Sequence, residues 1–295
     1  MSDSEEIPKL RLAPATEAEQ IARNIEREQR TVQQQRAYEL EDSLAPFRVG
    51  SVPYLNAVPL TRGLEDQIVF VAPSKLAEML KRGELDAALL SITEALLNDG
   101  YDILDGMAIA SLGEVYSVVV AHKVPLEDVK EIYLDTASCT SVNLLKILLA
   151  EKGLKPELKP LDSYENAKDH EAVLLIGNAA IAFRRANPEV EVWDLGAEWM
   201  ELTNLPFVYA VWVLSRGQEN RKLRRLLREA RDFGLDTLDH IISSNTLYDL
   251  DFRKDYLGWH IHYHMGSDEK RGIAKFIELL RKHNLGPVFE PKFVA

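Results

Sequence analysis

Arg48-Val-Gly-Ser-Val-Pro-Tyr-Leu-Asn-Ala-Val-Pro-Leu60 is the stretch that decides the fold. A short apolar strand over residues 48–52 runs into a turn that presents Tyr54 and Asn56. Pro59 then opens a helix, at a position where its missing amide donor costs nothing. A buried strand ending in a polar turn at a helix start is where α/β proteins hold ligands, because free backbone N–H groups converge there. An ordinary strand-turn-helix would read the same way in isolation, so the segments around it have to decide.

Working outward, the texture from Phe47 onward alternates short apolar runs with amphipathic segments. Residues 68–71, 87–90, 106–110, 116–121, 131–134, 172–176 and 207–214 have the apolar, bounded character of strands. Residues 74–82 and 141–151 carry helical spacing, and the chain after residue 219 reads as mostly helical, over 221–243, 253–263 and 268–283. Strands alternating with helices predict an α/β protein with mostly parallel sheets. Two of the strands, at 116–122 and 207–215, are long and strongly apolar and enclose a self-contained βα segment. The expected architecture is therefore two lobes with a cleft between them. Residues 47–118 and 213–295 form lobe 1, residues 119–212 form lobe 2, and the crossovers lie near 117–122 and 209–217. A cleft between lobes is a favoured place for a ligand.

Residues 1–46 differ. They are rich in Glu, Gln and Arg, and Ile21, Ile25 and Val32 are too sparse for a core-facing stripe. Thr16 and Glu19 have capping-box spacing, so the expectation is a polar extension, helical or mobile.

Bulk composition narrows the function. A formal net charge of −12 over 295 residues leaves no basic face for nucleic acid. It also denies an anionic ligand any long-range attraction, so an anion must be held by local donors. Cys139 is the single cysteine, which excludes a disulfide framework and a thiolate metal cluster within the chain. The acidic start Met-Ser-Asp-Ser-Glu-Glu lacks the basic-then-apolar order of a secretory leader, and no apolar run approaches the roughly 18 residues that span a bilayer. A cytoplasmic protein without membrane contact is expected.

The clearest anion site is Leu134-Asp-Thr-Ala-Ser-Cys-Thr-Ser-Val-Asn143, where a strand ends, hydroxyls cluster and an apolar helix begins. Helix N-termini carry partial positive charge and unpaired N–H groups, so Ser138, Thr140 and Ser141 are candidate ligand hydroxyls. One of them serving only as a helix cap is the plainer alternative. Ser111 lies in a second polar turn, near Ser117 and the expected hinge. Gly177-Asn178 ends a buried strand, where glycine permits positive φ or close approach. Phe207 and Tyr209, two apart on a strand, share a face and suit either core or cleft wall. His260-Ile-His-Tyr-His264 would put two imidazoles on one helix face, but no accompanying acid motif supports a metal, and packed or surface histidines are expected. Phosphate-loop, dinucleotide and nucleophile-elbow motifs are absent, so no cofactor is expected.

Taken in order, Gly50-x-x-x-Tyr-Leu-Asn-x-x-Pro-Leu60, Pro73-Ser-x-Leu76, Asp86-Ala-Ala-Leu-Leu90, Ala110-Ser-x-Gly113, Asp135-x-x-Ser-x-Thr-Ser141, Leu175-Ile-Gly177, Asp194-Leu-Gly-x-x-Trp199 and Leu205-Pro-Phe-Val-x-Ala-x-Trp212 resemble the chorismate dehydratase family of the futalosine route to menaquinone. The resemblance spans roughly residues 47–285. It implies a fold like type II periplasmic binding proteins and a hydro-lyase acting on chorismate. Asn56 would be the catalytic group; one substrate carboxylate would sit on Ser138, Thr140 and Ser141, the other on the Ser111 turn with Ser91, and Phe207 and Tyr209 would wall the ring. Tyr54, Gly177 and Asn178 complete the expected site. The chain departs from the family pattern at Asn178, at Asn204 and in its N-terminal extension. A non-catalytic small-anion binder and the sister enzyme making 1,4-dihydroxy-6-naphthoate remain alternatives at this point.

Overall fold

The computed structural model describes residues 47–217 and 220–295; the expected extension over residues 1–46 lies outside them. In the first sheet, the fully buried β1 (Val49–Ser51) is flanked in parallel by β2 (Ile68–Phe70) and β3 (Ala87–Ser91). Helix α1 (Pro73–Lys81) starts with proline and turns Leu76, Ala77 and Leu80 inward. β4 (Tyr101–Leu104) and β5 (Gly106–Ser111) follow the short α2 (Ile92–Leu96).

The second sheet is built from β6 (Val118–His122), β7 (Glu131–Leu134), β8 (Glu157–Pro160), β9 (Ala172–Ile176) and β10 (Glu191–Asp194), in the order β10-β6-β9-β7-β8. Helices α3 (Cys139–Glu151) and α4 (Gly177–Ala186) connect strands of this sheet, and α5 (Leu195–Thr203) follows β10. The chain then returns to the first sheet through β11 (Phe207–Ser215).

That return comes earlier than the sequence suggested. Residues 207–212 were expected in lobe 2, but Phe207 pairs with Ser111 and Ala210 with Ser91, so β11 belongs wholly to the first sheet. The expected predominance of parallel pairing also fails. β11 runs antiparallel to β3, β4 and β5, and β6 antiparallel to β9 and β10, because each lies against strands entered from the other direction. Both sheets are mixed.

The C-terminal third is less continuously helical than expected. Residues 221–243 form two helices, α6 (Arg221–Asp236) and α7 (Leu238–Ser244), interrupted at Thr237. Residues 253–263 divide among α8 (Leu250–Asp255), one π-turn at Tyr256–His260 closed by Ile261 N–H to the Tyr256 carbonyl at 3.1 Å, and β12 (His262–Met265). Within β12, Tyr263 and Met265 are buried while His262 and His264 are not, a two-residue period that belongs to a strand. α9 (Ser267–Lys282) and β13 (Phe293–Val294), which pairs with β4, complete the fold.

One packing contact sets the decisive turn in place. Residues Leu55–Leu60 form a 3-10 turn with Pro59 inside it, instead of a longer helix opened by Pro59. Gly234 of α6 lies against that turn so closely that a Cβ there would stand 1.8 Å from the Pro59 carbonyl oxygen. Only glycine lets the helix backbone approach this near, and that contact backs the segment carrying Tyr54 and Asn56. Among the described residues, no helix is long and apolar enough to cross a membrane.

Candidate functional site

A cavity of about 600 Å³, its open mouth included, lies between the two sheets. The first sheet and its turn contribute Val52, Tyr54, Asn56, Pro73, Leu89, Ser91, Ile109, Tyr209 and Ala210; the second sheet and its approach contribute Val115, Ser117, Val118, Ser138, Ser141, Ile176 and Gly177. A largely apolar lining with a few convergent polar groups is usual for a small-molecule site. Seven of the eleven residues expected from sequence meet here: Tyr54, Asn56, Ser91, Ser138, Ser141, Gly177 and Tyr209.

Asn56 carries the cavity's unanswered polar atom. Its Oδ1 is buried and has no hydrogen-bond partner among the described residues. Other buried side-chain atoms also lack partners, but none belongs to a residue lining the cavity. A buried carbonyl left unpaired costs about 1–3 kcal/mol, so its presence calls for an explanation. Tyr256 lies against the Asn56 side chain and donates its hydroxyl to Ser117 Oγ at 2.8 Å. Burial pushes the Tyr256 phenol well above its ordinary value, so it stays protonated. Ser117 keeps its own O–H to donate.

Opposite stands the N-terminus of α3. Ser138 caps the helix, accepting from the Ser141 N–H at 3.3 Å and from the Ser141 hydroxyl at 3.1 Å. The capping alternative is therefore part of the arrangement, and it leaves the Ser138 O–H as the proton still available. Ser91 caps α2 in the same way, accepting from Glu94 N–H at 3.4 Å, and likewise retains its own hydroxyl proton. Gly177 takes φ +53°, its N–H bonds the Ser117 carbonyl at 2.8 Å, and a Cβ there would press on the Tyr54 ring at 3.4 Å.

Four expected residues stand outside the lining. Ser111 is buried under Tyr209, donating to the Gly113 carbonyl at 3.0 Å and lying 3.1 Å from the Tyr209 hydroxyl. It holds Tyr209 in place and does not face the cavity. Thr140 is fully buried, and its Oγ1 accepts the Thr93 N–H at 2.9 Å across the lobes. Asn178 reaches over the cleft to the decisive turn, with its Oδ1 3.4 Å from Leu55 N and its Nδ2 3.4 Å from the Pro53 carbonyl. Phe207 packs edge-on against Trp199 and Phe276 in the core, behind Tyr209. The pairing of β11 with β5 slips between Val208 and Ala210, so Tyr209 is the extra residue of a bulge, a device that re-aims a side chain.

The crossover is pinned by Asp194, a buried carboxylate. Its Oδ1 accepts from Val115, Gly196 and Ala197 N–H at 3.1, 2.9 and 3.0 Å, and its Oδ2 from Tyr116 N–H at 2.8 Å. Burial raises its pKa, and the backbone donors oppose that rise. Tyr116 itself sits at φ +66°, with the Arg184 guanidinium 3.6 Å from its ring centroid. Burial, with Asp194 nearby, also pushes the Tyr209 phenol well upward. Among the described residues, the lining thus contains no carboxylate, imidazole or amine, and its phenols remain protonated.

The histidines do not form the expected helical pair. His260 closes the π-turn and binds the Glu114 carbonyl at 2.9 Å and Asp255 at 3.1 Å, while His264 lies on β12. Ser117 and Tyr256 were not singled out for the site. They come together from 139 positions apart, a separation that no local pattern encodes.

Two mixed sheets linked by crossovers around a cleft define the periplasmic-binding-protein class of fold. The structure aligns with a protein from Archaeoglobus fulgidus at a TM-score of 0.65, 22% identical, covering 81% of this chain and 97% of that one. It also aligns with the periplasmic aliphatic sulphonate binding protein SsuA from Escherichia coli at 0.57, 13% identical, covering 84% and 93%. The chain belongs to the menaquinone biosynthesis family, whose sequence model matches residues 47–282. A Thermus thermophilus protein named chorismate dehydratase is 33% identical over 275 residues, covering 85% of this chain and 99% of that protein.

Proposed function

We propose that this chain is a hydro-lyase that removes water from chorismate to give 3-[(1-carboxyvinyl)oxy]benzoate, acting in the cytoplasm on the route to menaquinone. The observation that carries the reading is the donor and acceptor set of the cleft. A buried, unpaired amide oxygen in one lobe and hydroxyls at a helix start in the other belong to residues that line one cavity. The kinship with the Thermus thermophilus protein supplies the substrate.

Chorismate bears a ring carboxylate, an enolpyruvyl carboxylate and a ring hydroxyl. One carboxylate is assigned to the Ser138 hydroxyl and the first turn of α3, where free amides and the helix dipole favour negative charge. The other is assigned to Ser91 and Ser117, whose hydroxyl protons remain available. Thr140, Ser111 and Asn178 act behind this surface by bonding the lobes and the turn together. Tyr209 and Tyr54 wall the ring.

The elimination breaks one ring C–H bond and the neighbouring C–OH bond, and the ring becomes aromatic. With no basic side chain lining the cavity among the described residues, the substrate's enolpyruvyl carboxylate takes the ring proton. It passes that proton to the departing hydroxyl, so water leaves and the carboxylate is regenerated. Asn56 Oδ1 accepts the hydroxyl's own hydrogen, which aims the oxygen lone pairs at the incoming proton. The protein's contribution is then orientation in a closed cavity with fixed donors.

The deciding experiment incubates purified protein with chorismate and follows products by mass and ultraviolet absorbance. An aromatic product lighter by one water supports the reading. Binding of chorismate without turnover assigns the chain to the binding proteins, and absence of binding points to the sister enzyme's substrate.

A further inference from the structure

Two imidazoles and a carboxylate meet at the edge of the first sheet, and none of the three lines the cleft. β12 sends Tyr263 and Met265 into the core, which leaves His262 and His264 together on its other face, ring centroids 4.7 Å apart. The chain turns at Gly266, and the first turn of α9 brings Glu269 up to them. Gly266 N–H holds Glu269 Oε2 at 2.7 Å, so Oε1 is turned to the histidines, 3.1 Å from His262 Nε2 and 3.5 Å from His264 Nε2.

Two features distinguish this from a chance cluster. Donor atoms around a tetrahedral zinc with bonds of about 2.0–2.1 Å stand about 3.3–3.4 Å apart, close to both Glu–His separations. All three donor atoms already lie within 4.8 Å of one another, and the side chain of His264 is 69% exposed, free to rotate and close the remaining gap. Second, Glu269 is only 5% exposed, and among the described residues no lysine or arginine pairs with it. Against the effect of burial, backbone N–H groups of Gly266 and Glu269, with the two histidines, hold its carboxyl below the ordinary value, so it stands as the carboxylate that a metal ion binds.

We propose that His262, His264 and Glu269 bind one zinc ion as a clip between β12 and α9, with the fourth position open to water. The carboxylate is oriented by the Gly266 amide, as ligands of metals generally are by an outer hydrogen bond. Sequence spacing alone pairs the wrong histidines, 260 and 264. The strand geometry of β12 is what joins 262 to 264.

The test uses the full-length untagged chain. Calorimetric titration with zinc should give one ion per chain, and the cobalt(II) form should show the intense visible bands of a four-coordinate site. His264→Ala alters an exposed side chain and leaves folding intact. It should weaken zinc binding at least about 100-fold, since even outer-shell partners are worth 10- to 100-fold, and should abolish the cobalt bands. Zinc should raise Tm in the parent chain and not in the variant. Absence of saturable binding would overturn the proposal, as would a zinc affinity and cobalt spectrum unchanged in both His264→Ala and His262→Gln.

Discussion

Replacing Asn56 with leucine should leave the folded chain no less stable while removing its turnover. The side chains are nearly isosteric, so the comparison isolates the amide. Its buried, unpaired Oδ1 costs the unliganded protein about 1–3 kcal/mol, which leucine relieves. The lost contact with the Tyr256 hydroxyl costs about 1 kcal/mol, and that hydroxyl keeps its bond to Ser117. The balance is a stabilisation of about 0–2 kcal/mol. At about 2–4 °C per kcal/mol for a domain of this size, Tm should stay level or rise by up to about 8 °C. Turnover of chorismate should fall at least about 100-fold, because the substrate hydroxyl loses its orienting acceptor. Thermal melts without ligand and single-turnover assays on the same preparation check both halves. A clear drop in Tm would mean the folded protein itself uses Oδ1, and the account of a site held ready for a ligand would fail. A stable variant with undiminished turnover would remove Asn56 from the chemistry.

Other consequences are as specific. Gly196→Ala would place a Cβ 2.5 Å from the Gly113 carbonyl oxygen and 2.7 Å from the Tyr209 hydroxyl, so it should destabilise by about 1–3 kcal/mol, visible as a lowered Tm; an unchanged melt would contradict the close packing at the crossover. Ser138→Ala removes the free hydroxyl at the α3 start and should raise KM for chorismate roughly 10- to 100-fold, the worth of a hydrogen bond to a charged group, with kcat less affected. An unaltered KM would move the carboxylate elsewhere. Glu151 at the end of α3 accepts from Lys282 at 2.7 Å and from His283 at 2.5 Å, which hold its carboxyl below the ordinary 4.5. A lowered acid pKa gives stability that is present above 4.5 and is lost as pH falls through the lowered value. Denaturation followed from neutral to acid pH should therefore fall more steeply in the parent than in Glu151→Gln, and parallel curves would refute the linkage.

Much of this architecture is legible in the sequence where the signal is local. The strand before Tyr54, the hydroxyl cluster before the apolar α3 and the strand over Ala172–Ile176 each announce themselves by composition within about ten residues. What stays hidden depends on partners far along the chain. Thr140 and Asn178 resemble ligand groups in sequence, yet each is claimed by a backbone group from the opposite lobe. Phe207 shares strand parity with Tyr209, but the bulge and the neighbouring Trp199 and Phe276 draw it into the core. The strand β12 is masked because His262 and His264 fit a helical repeat as easily as an alternating one until Tyr263 and Met265 are seen buried.

The hydrogen bonds that span the cleft have a kinetic consequence. Thr93 to Thr140 and Leu55 to Asn178 are both made between groups of the chain itself. Parting the lobes must break these bonds, so a molecule entering the cavity is admitted by a transient breathing of these latches. Arrival should be gated: at high substrate concentration the observed association rate levels off at the opening frequency instead of rising without limit. A transport receptor latched in this way would capture slowly, whereas a catalyst that must keep water from a labile intermediate gains from latches that hold the lobes together.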